Sequence, residues 1–137
     1  MLYNIAKALS SAARTTTTTY DPTVQFGGGI SQPIDVDGLT AYLNVTVVPG
    51  VDTVLLKLQE QIPATGTWVD VPGAATLAQV ATGLIKLIVG PGIATVAPSV
   101  SLDVLASYLP PAWRLQIVHS GAGSFTYSLD VCLQKTS

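Results

Sequence analysis

The chain carries one histidine, one cysteine and one glutamate (His119, Cys132 and Glu60) together with seven aspartates. His119 precedes Ser120, but a Ser-His-Asp triad needs a strained nucleophile turn or a prepared oxyanion hole, and no Gly-x-Ser-x-Gly is present. The pair reads as a turn at a strand end. A tetrahedral zinc site needs about four His or Cys ligands, more than the chain holds. With a single Cys there is no internal disulfide, and Cys132 lies in an alternating apolar run that suits a buried, inert thiol. Asp35 and Asp37 share one face of an extended segment, about 7 Å apart, and Asp52 or Asp70 could join them around calcium. No ladder of Asp and Asn ligands accompanies them, so they read as a solvated loop. Glu60 falls near a strand end on an exposed polar face, which would not raise its pKa for glycosidase chemistry. Gly27-Gly28-Gly29 lacks the following Lys-Ser/Thr of a phosphate loop. These residues imply no enzyme, no cofactor and no metal.

Composition narrows the remaining classes. The 137 residues fit one domain with a core of its own. Only 10% of residues are charged while 48% are apolar, which argues against disorder. The net charge is −2 and the six cations are dispersed, so nucleic-acid binding is not expected. The most apolar window, Leu77 to Val100, is broken by Lys86, Gly90-Pro91-Gly92 and Pro98, which excludes a spanning helix. No membrane partner is expected, and the start of the chain is a poor secretory signal. The apolar excess points instead to a surface that meets neighbouring proteins.

The elements read as strands. Residues 1–20 form an N-terminal arm: Leu2, Ile5, Ala6 and Leu9 follow helical spacing, so the start is either a short amphipathic helix or extended. Arg14 then leads Thr15 to Thr19 and Tyr20, a β-branched run suited to an extended edge strand or clamp. Gly27-Gly28-Gly29, Ser31 and Pro33 mark a loop. From there residues 21–137 form the main domain.

Leu39–Val48 and Val54–Ile62 alternate, with Leu39, Ala41, Leu43, Val45, Val47, Val54, Leu56, Leu58 and Ile62 inward, and Pro49-Gly50 between them suggests a hairpin. Thr67–Val71 is a short strand closed by Pro72-Gly73, residues 74–81 tip toward strand, and Gly83–Gly90 is a strand. Leu102–Tyr108 is a short helix or strand. Ala112–His119 points Trp113, Leu115 and Ile117 inward, and the last strand does the same with Phe125, Tyr127, Leu129, Val131 and Leu133. That phase turns Cys132 to the other face, under the arm or at an interface. The predicted fold is all-β: a single antiparallel β-sandwich, jelly-roll or Ig-like, with an extended N-terminal arm. Trp68, beside a turn, is the best exposed aromatic for a carbohydrate platform, whereas Trp113 belongs to the core.

Arg14–Thr19, Leu39–Val48 with Pro49-Gly50, Thr65-Gly66-Thr67-Trp68, Val89-Gly90-Pro91-Gly92, the strand Leu109-Pro110-Pro111-Ala112-Trp113-Arg114 running on to His119-Ser120, and Phe125-Thr126-Tyr127-Ser128 together resemble a family of small tailed-bacteriophage capsid decoration (cement, or auxiliary head) proteins. The resemblance spans about residues 13–134. Pro111 stands where that pattern often has Arg, Ala94–Tyr108 is longer than the usual connection, and residues 1–12 are additional.

The resemblance implies a virion structural protein on the outer capsid surface, made in the host cytoplasm, with the major capsid protein and further copies of itself as partners. A trimer or other small cyclic oligomer is expected. The expected interface comprises Leu2, Ile5, Leu9, Arg14, Thr15, Thr17, Thr19, Tyr20, Gly27, Gly28, Gly29 and Trp68. The alternatives are a head–tail connector, a tail tube subunit or a head fibre base, and beyond those a carbohydrate- or receptor-binding module. A long hairpin over residues 39–62 would favour the tube.

Overall fold

The computed structural model describes residues 2–21 and 36–134. Among these residues nine strands follow one another: β1 (Leu2–Arg14), β2 (Thr18–Tyr20), β3 (Gly38–Val47), β4 (Val54–Gln61), β5 (Trp68–Ala75), β6 (Gly83–Gly90), β7 (Leu102–Ala106), β8 (Trp113–His119) and β9 (Phe125–Gln134). No helix occurs among the described residues, so the arm takes the extended alternative. The strands make a five-stranded sheet ordered β1-β9-β3-β6-β7 and a four-stranded sheet ordered β2-β8-β4-β5. The two sheets pack face to face as a β-sandwich. Pairing is nested: β1 with β9, β2 with β8, β3 with β6 and β4 with β5, each antiparallel.

The apolar alternation builds the core between the sheets. Leu39, Ala41, Leu43 and Val45 of β3 and Val54, Leu56 and Leu58 of β4 are all buried in one core cluster. Trp113, Phe125 and Tyr127 are the largest fully buried side chains. Because both apolar faces must be covered, β3 and β4 belong to different sheets on either side of the core instead of lying side by side. The expected hairpin over 39–62 is therefore not formed: Pro49 to Thr53 carries the chain from one sheet to the other. The inward rows also stop short of their expected ends. Val47 is 54% and Ile62 40% exposed, because each sits where its strand leaves the sandwich.

Pro72-Gly73 does not close β5. Gln59 faces Asp70 but Lys57 faces Ala75, so the intervening residues bulge out, with Gly73 at φ 80°. Thr76 repairs the ladder beyond the bulge. Its amide donates to the Leu56 carbonyl at 2.9 Å, and its hydroxyl accepts the Leu56 amide at 3.1 Å. Past Ala75 the expected strand reduces to one isolated bridge between Gln79 and Val54. β7 is a strand, not a helix, and it runs parallel to β6. The chain reaches it through residues 91–101, which return along the sheet edge and bridge Val96 to Val104.

Asp103 of β7 is 1% exposed, and neither carboxylate oxygen has a well-formed hydrogen bond. Burial pushes its carboxyl up, and the backbone amides of Ala75 and Val104 only partly oppose this.

Four chain crossings between the sheets meet at one end of the sandwich: residues 15–17, 76–82, 48–53 and 120–124. The last two interlock. The Thr53 amide donates to the Ser120 hydroxyl at 2.7 Å, the Ser120 amide to the Thr53 carbonyl at 3.0 Å, and the Gly123 amide to Asp52 Oδ2 at 2.7 Å. A Cβ at Gly121 or Gly123 would overlap the Asp52 carboxylate.

Two stability changes follow. Truncating Trp113 to Ala should cost about 3–5 kcal/mol in chemical denaturation. Asp103→Asn should instead stabilise by roughly 1 kcal/mol at neutral pH, by removing a buried charge whose desolvation outweighs the help of the Ala75 and Val104 amides. That gain should narrow on acidification, as the wild-type carboxyl takes up its proton within the fold.

Candidate interaction surface

The arm is spent on both sheets. β1 forms the edge of the five-stranded sheet and β2 the edge of the four-stranded sheet, so residues 15–17 bridge the two. Leu2 lies opposite Gln134 and Ile5 opposite Val131. Leu9 is half-buried against the core. The register of β1 against β9 shifts between Ile5 and Leu9 and again between Leu9 and Ala12. Arg14 compensates there. Its guanidinium donates to the carbonyls of Tyr127 (2.6 Å), Ser10 (2.7 Å) and Ala12 (3.2 Å), and it lies 4.7 Å from the centre of the Tyr127 ring.

Thr15 is exposed. The Thr17 hydroxyl accepts the His119 amide at 3.2 Å, and the Thr19 hydroxyl accepts the Gln116 side-chain amide at 3.3 Å. Tyr20 is buried, its ring centre 6.4 Å from that of Trp113. Its hydroxyl has no hydrogen-bond partner among the described residues, and its pKa is pushed up to about 12, mainly by burial and then by Asp21. Gly27, Gly28 and Gly29 lie outside the described residues, as does Asp35.

A relay that the expected interface did not include joins the arm to the core. His119 Nε2 lies 2.8 Å from the Tyr127 hydroxyl, which donates to Thr18 Oγ1 at 2.9 Å; that hydroxyl donates to the Thr16 carbonyl at 3.1 Å. A carbonyl only accepts, so every proton in the chain points toward Thr16. The direction assigns the neutral His119 tautomer: Nε2 carries the hydrogen, and Nδ1 is bare. Nδ1 is buried without a partner, and the ring meets Phe125 edge-on at 5.2 Å between centres. Burial, followed by the Arg14 charge, lowers the His119 pKa. Burial raises that of Tyr127, against the opposing pull of Thr18 and Arg14. The sequence held a signal for this cluster: His119 continues the inward phase of Trp113, Leu115 and Ile117, and Tyr127 that of Phe125 and Leu129. An inward polar side chain at a strand end needs a partner.

Trp68 begins β5 and is half-buried, with the Arg114 guanidinium 4.5 Å from its ring centre. A polar row continues across the outer face. Arg114 Nε donates to Gln59 Oε1 at 2.7 Å, Gln59 Nε2 donates to Asp70 Oδ1 at 2.8 Å, and Lys57 Nζ lies 3.0 Å from that same oxygen. Gln59 first, then Lys57, holds the Asp70 carboxyl low. One face of the indole is therefore already occupied. Cys132 is half-buried on the outer side of β9, opposite Asn4 and Thr40, which matches the strand phase and not the buried-thiol reading.

Several large apolar side chains are exposed. Leu77, Val80, Leu84, Ile93, Val96, Val100 and Tyr108 are all at least 40% exposed. The Leu77 amide donates to the Ser99 carbonyl at 2.9 Å and ties the two long connections of this region together. Lys86 is the sole ionic residue from Leu77 to Ser101, and it sits over the Tyr42 ring at 5.6 Å. Among the described residues no three His, Cys, Asp or Glu side chains gather as metal ligands, and no helix is long and apolar enough to cross a membrane. No protein-family model matches the chain, and no curated protein matches it.

Tyr127→Phe should leave His119 Nε2–H and Thr18 Oγ1 without their shared partner, at a cost of about 1–3 kcal/mol read by denaturant titration. A histidine whose folded pKa lies below its unfolded value binds fewer protons in the fold. Its contribution is complete above the ordinary value near 6.5 and is lost as pH falls through it toward the folded value. The melting temperature should therefore decline from neutral toward mildly acid pH, and His119→Gln should flatten that part of the profile.

Proposed function

We propose that this protein is a non-enzymatic virion component that decorates a phage capsid, binding the major capsid protein and neighbouring copies of itself on the outer shell. The nested strand order carries the reading. First-with-last pairing through four levels, divided between two sheets, is what a jelly roll requires, and double-sheet jelly rolls recur in viral capsid domains. The resemblance of residues 13–134 to decoration proteins points the same way. So does the distribution of polar side chains: His119, Asp52, Arg14 and Asp70 are engaged in holding chain crossings and strands.

Binding would then rest on surface complementarity, for which an uncharged apolar region flanked by polar side chains is suited. The connections 76–82 and 91–101 supply such a region, and the arm lies at the rim of both sheets. Attachment as a small cyclic oligomer would cover these surfaces repeatedly. The alternatives draw less from the fold. A tail tube would use a long hairpin over residues 39–62, which is not formed. A sugar platform on Trp68 would have to share the indole with Arg114.

Cryo-EM of the intact particle tests the reading. Density for this chain is expected on the outer shell at three-fold or quasi-three-fold positions; density confined to the portal vertex or tail would move the protein to the connector or tube class. In a binding assay with undecorated capsids, Leu77→Lys and Val96→Lys should each cut occupancy by about tenfold or more, while stability stays within about 0.5 kcal/mol of wild type. Undiminished occupancy would remove the apolar connections from the contact surface.

A further inference from the structure

We propose that the arm crossing is a clamp that opens on acidification: protonation of His119 at Nδ1 disrupts the relay and frees residues 14–18 from β8 and β9 while the sandwich stays folded. The inference concerns the isolated chain and stands apart from capsid decoration.

The relay has a fixed direction. Nε2–H donates to Tyr127, Tyr127 to Thr18, and Thr18 to the Thr16 carbonyl. Nε2 already holds a proton in the neutral ring, so a second proton must go to Nδ1. That atom is buried and faces no acceptor. The resulting cation would carry an unbonded N–H and would lie in the same corner as a second cation, Arg14, whose guanidinium covers the Tyr127 ring at 4.7 Å.

The groups packed around the imidazole offer no compensation. β9 presents Phe125 and Tyr127, the arm presents Arg14, Thr17 and Thr18, and Arg14 is the charge that acts on the ring. On the β4 side, Val54 pairs with His119, and the nearby Asp52 is engaged by the Gly123 amide. Relief comes from hydrating Nδ1, and turning the ring out to do so breaks the Nε2–H bond to Tyr127 on which the Thr18 contact rests.

The strap is the weaker side. Of the arm side chains from Ala8 to Tyr20, Tyr20 alone is buried in the core; Arg14, Thr17, Thr18 and Thr19 hold by hydrogen bonds, each with a small net contribution. The ring itself is anchored on β8, between the Ile117 core position and the interlocked 120–124 loop. A segment held in this way opens locally before the core does. Opening would uncover the edges of β8 and β9 together, and strand edges recruit other strands.

Amide hydrogen exchange on the whole chain, near pH 7.5 and near pH 5 and corrected for intrinsic rates, tests the clamp. Residues 10–20 should exchange about tenfold faster at the lower pH while β3 and β4 keep their protection. His119→Gln, which keeps an N–H donor and removes the titration, should abolish the acceleration. Equal protection at both pH values, equal acceleration in His119→Gln, or acceleration of all strands together would overturn the proposal. A second measurement does not depend on the variant. His119 is the chain's one histidine, so its ring nitrogen shifts can be read without ambiguity. They should report the Nε2–H tautomer at neutral pH, and the Nδ1–H tautomer would overturn the proposal.

Discussion

The strands β3, β4, β6, β8 and β9 each bury one apolar face, and two sheets must bring those faces together. The chain is therefore forced to cross from sheet to sheet, and at each crossing the backbone leaves its ladder and needs other partners. Four crossings gather at one end of the sandwich, and three of them, residues 15–17, 48–53 and 120–124, rest on polar side chains. Their polar needs are met by a small set of side chains: Asp52 and Ser120 for the loops around β4 and β8, and Arg14, Thr17 and Thr18 for the arm. His119 and Tyr127 sit where the arm passes over the core. The polar chemistry of this corner follows from the packing constraint, since each of these side chains holds a crossing or the arm.

The opposite situation holds along the connections 76–82 and 91–101. There the side chains are apolar and exposed, the ionic content is one lysine, and the backbone is held by scattered bonds such as Leu77 to Ser99. A surface of this kind gains by being covered. The molecule thus separates its two resources, with polar groups spent on closing the fold and apolar groups left over outside it.

The strands were readable because period-two alternation is imposed by burial, and Trp113, Leu115 and Ile117, or Phe125 through Leu133, have no other arrangement that hides them. Which strands pair was not readable from the same signal. Leu39–Val45 and Val54–Leu58 show equal alternation whether they lie side by side or face to face, and only the completed sandwich decides. Pro72-Gly73 illustrates a second limit, since turn chemistry also serves a bulge when the strand resumes beyond it. The arm residues Arg14, Thr17, Thr19 and Tyr20 stood out by type, yet their partners lie about a hundred positions away in sequence, where local pattern carries no information. The relay through His119 was half visible, as an inward phase ending in a polar ring.

Pairing the first strand with the last has a kinetic meaning. Leu2 lies opposite Gln134 and Arg14 opposite Phe125, so β1 has no partner until residues 125–134 have been made. The nested order repeats this at each level, and the closest pair in sequence, β4 with β5, is the one that can form first. Contacts of such long sequence separation make for slow folding, because loop closure must precede the reward. During synthesis the edges that will receive the arm are the last to appear, so the protein spends its nascent life with its aggregation-prone borders unbuilt and closes both sheets in a late step.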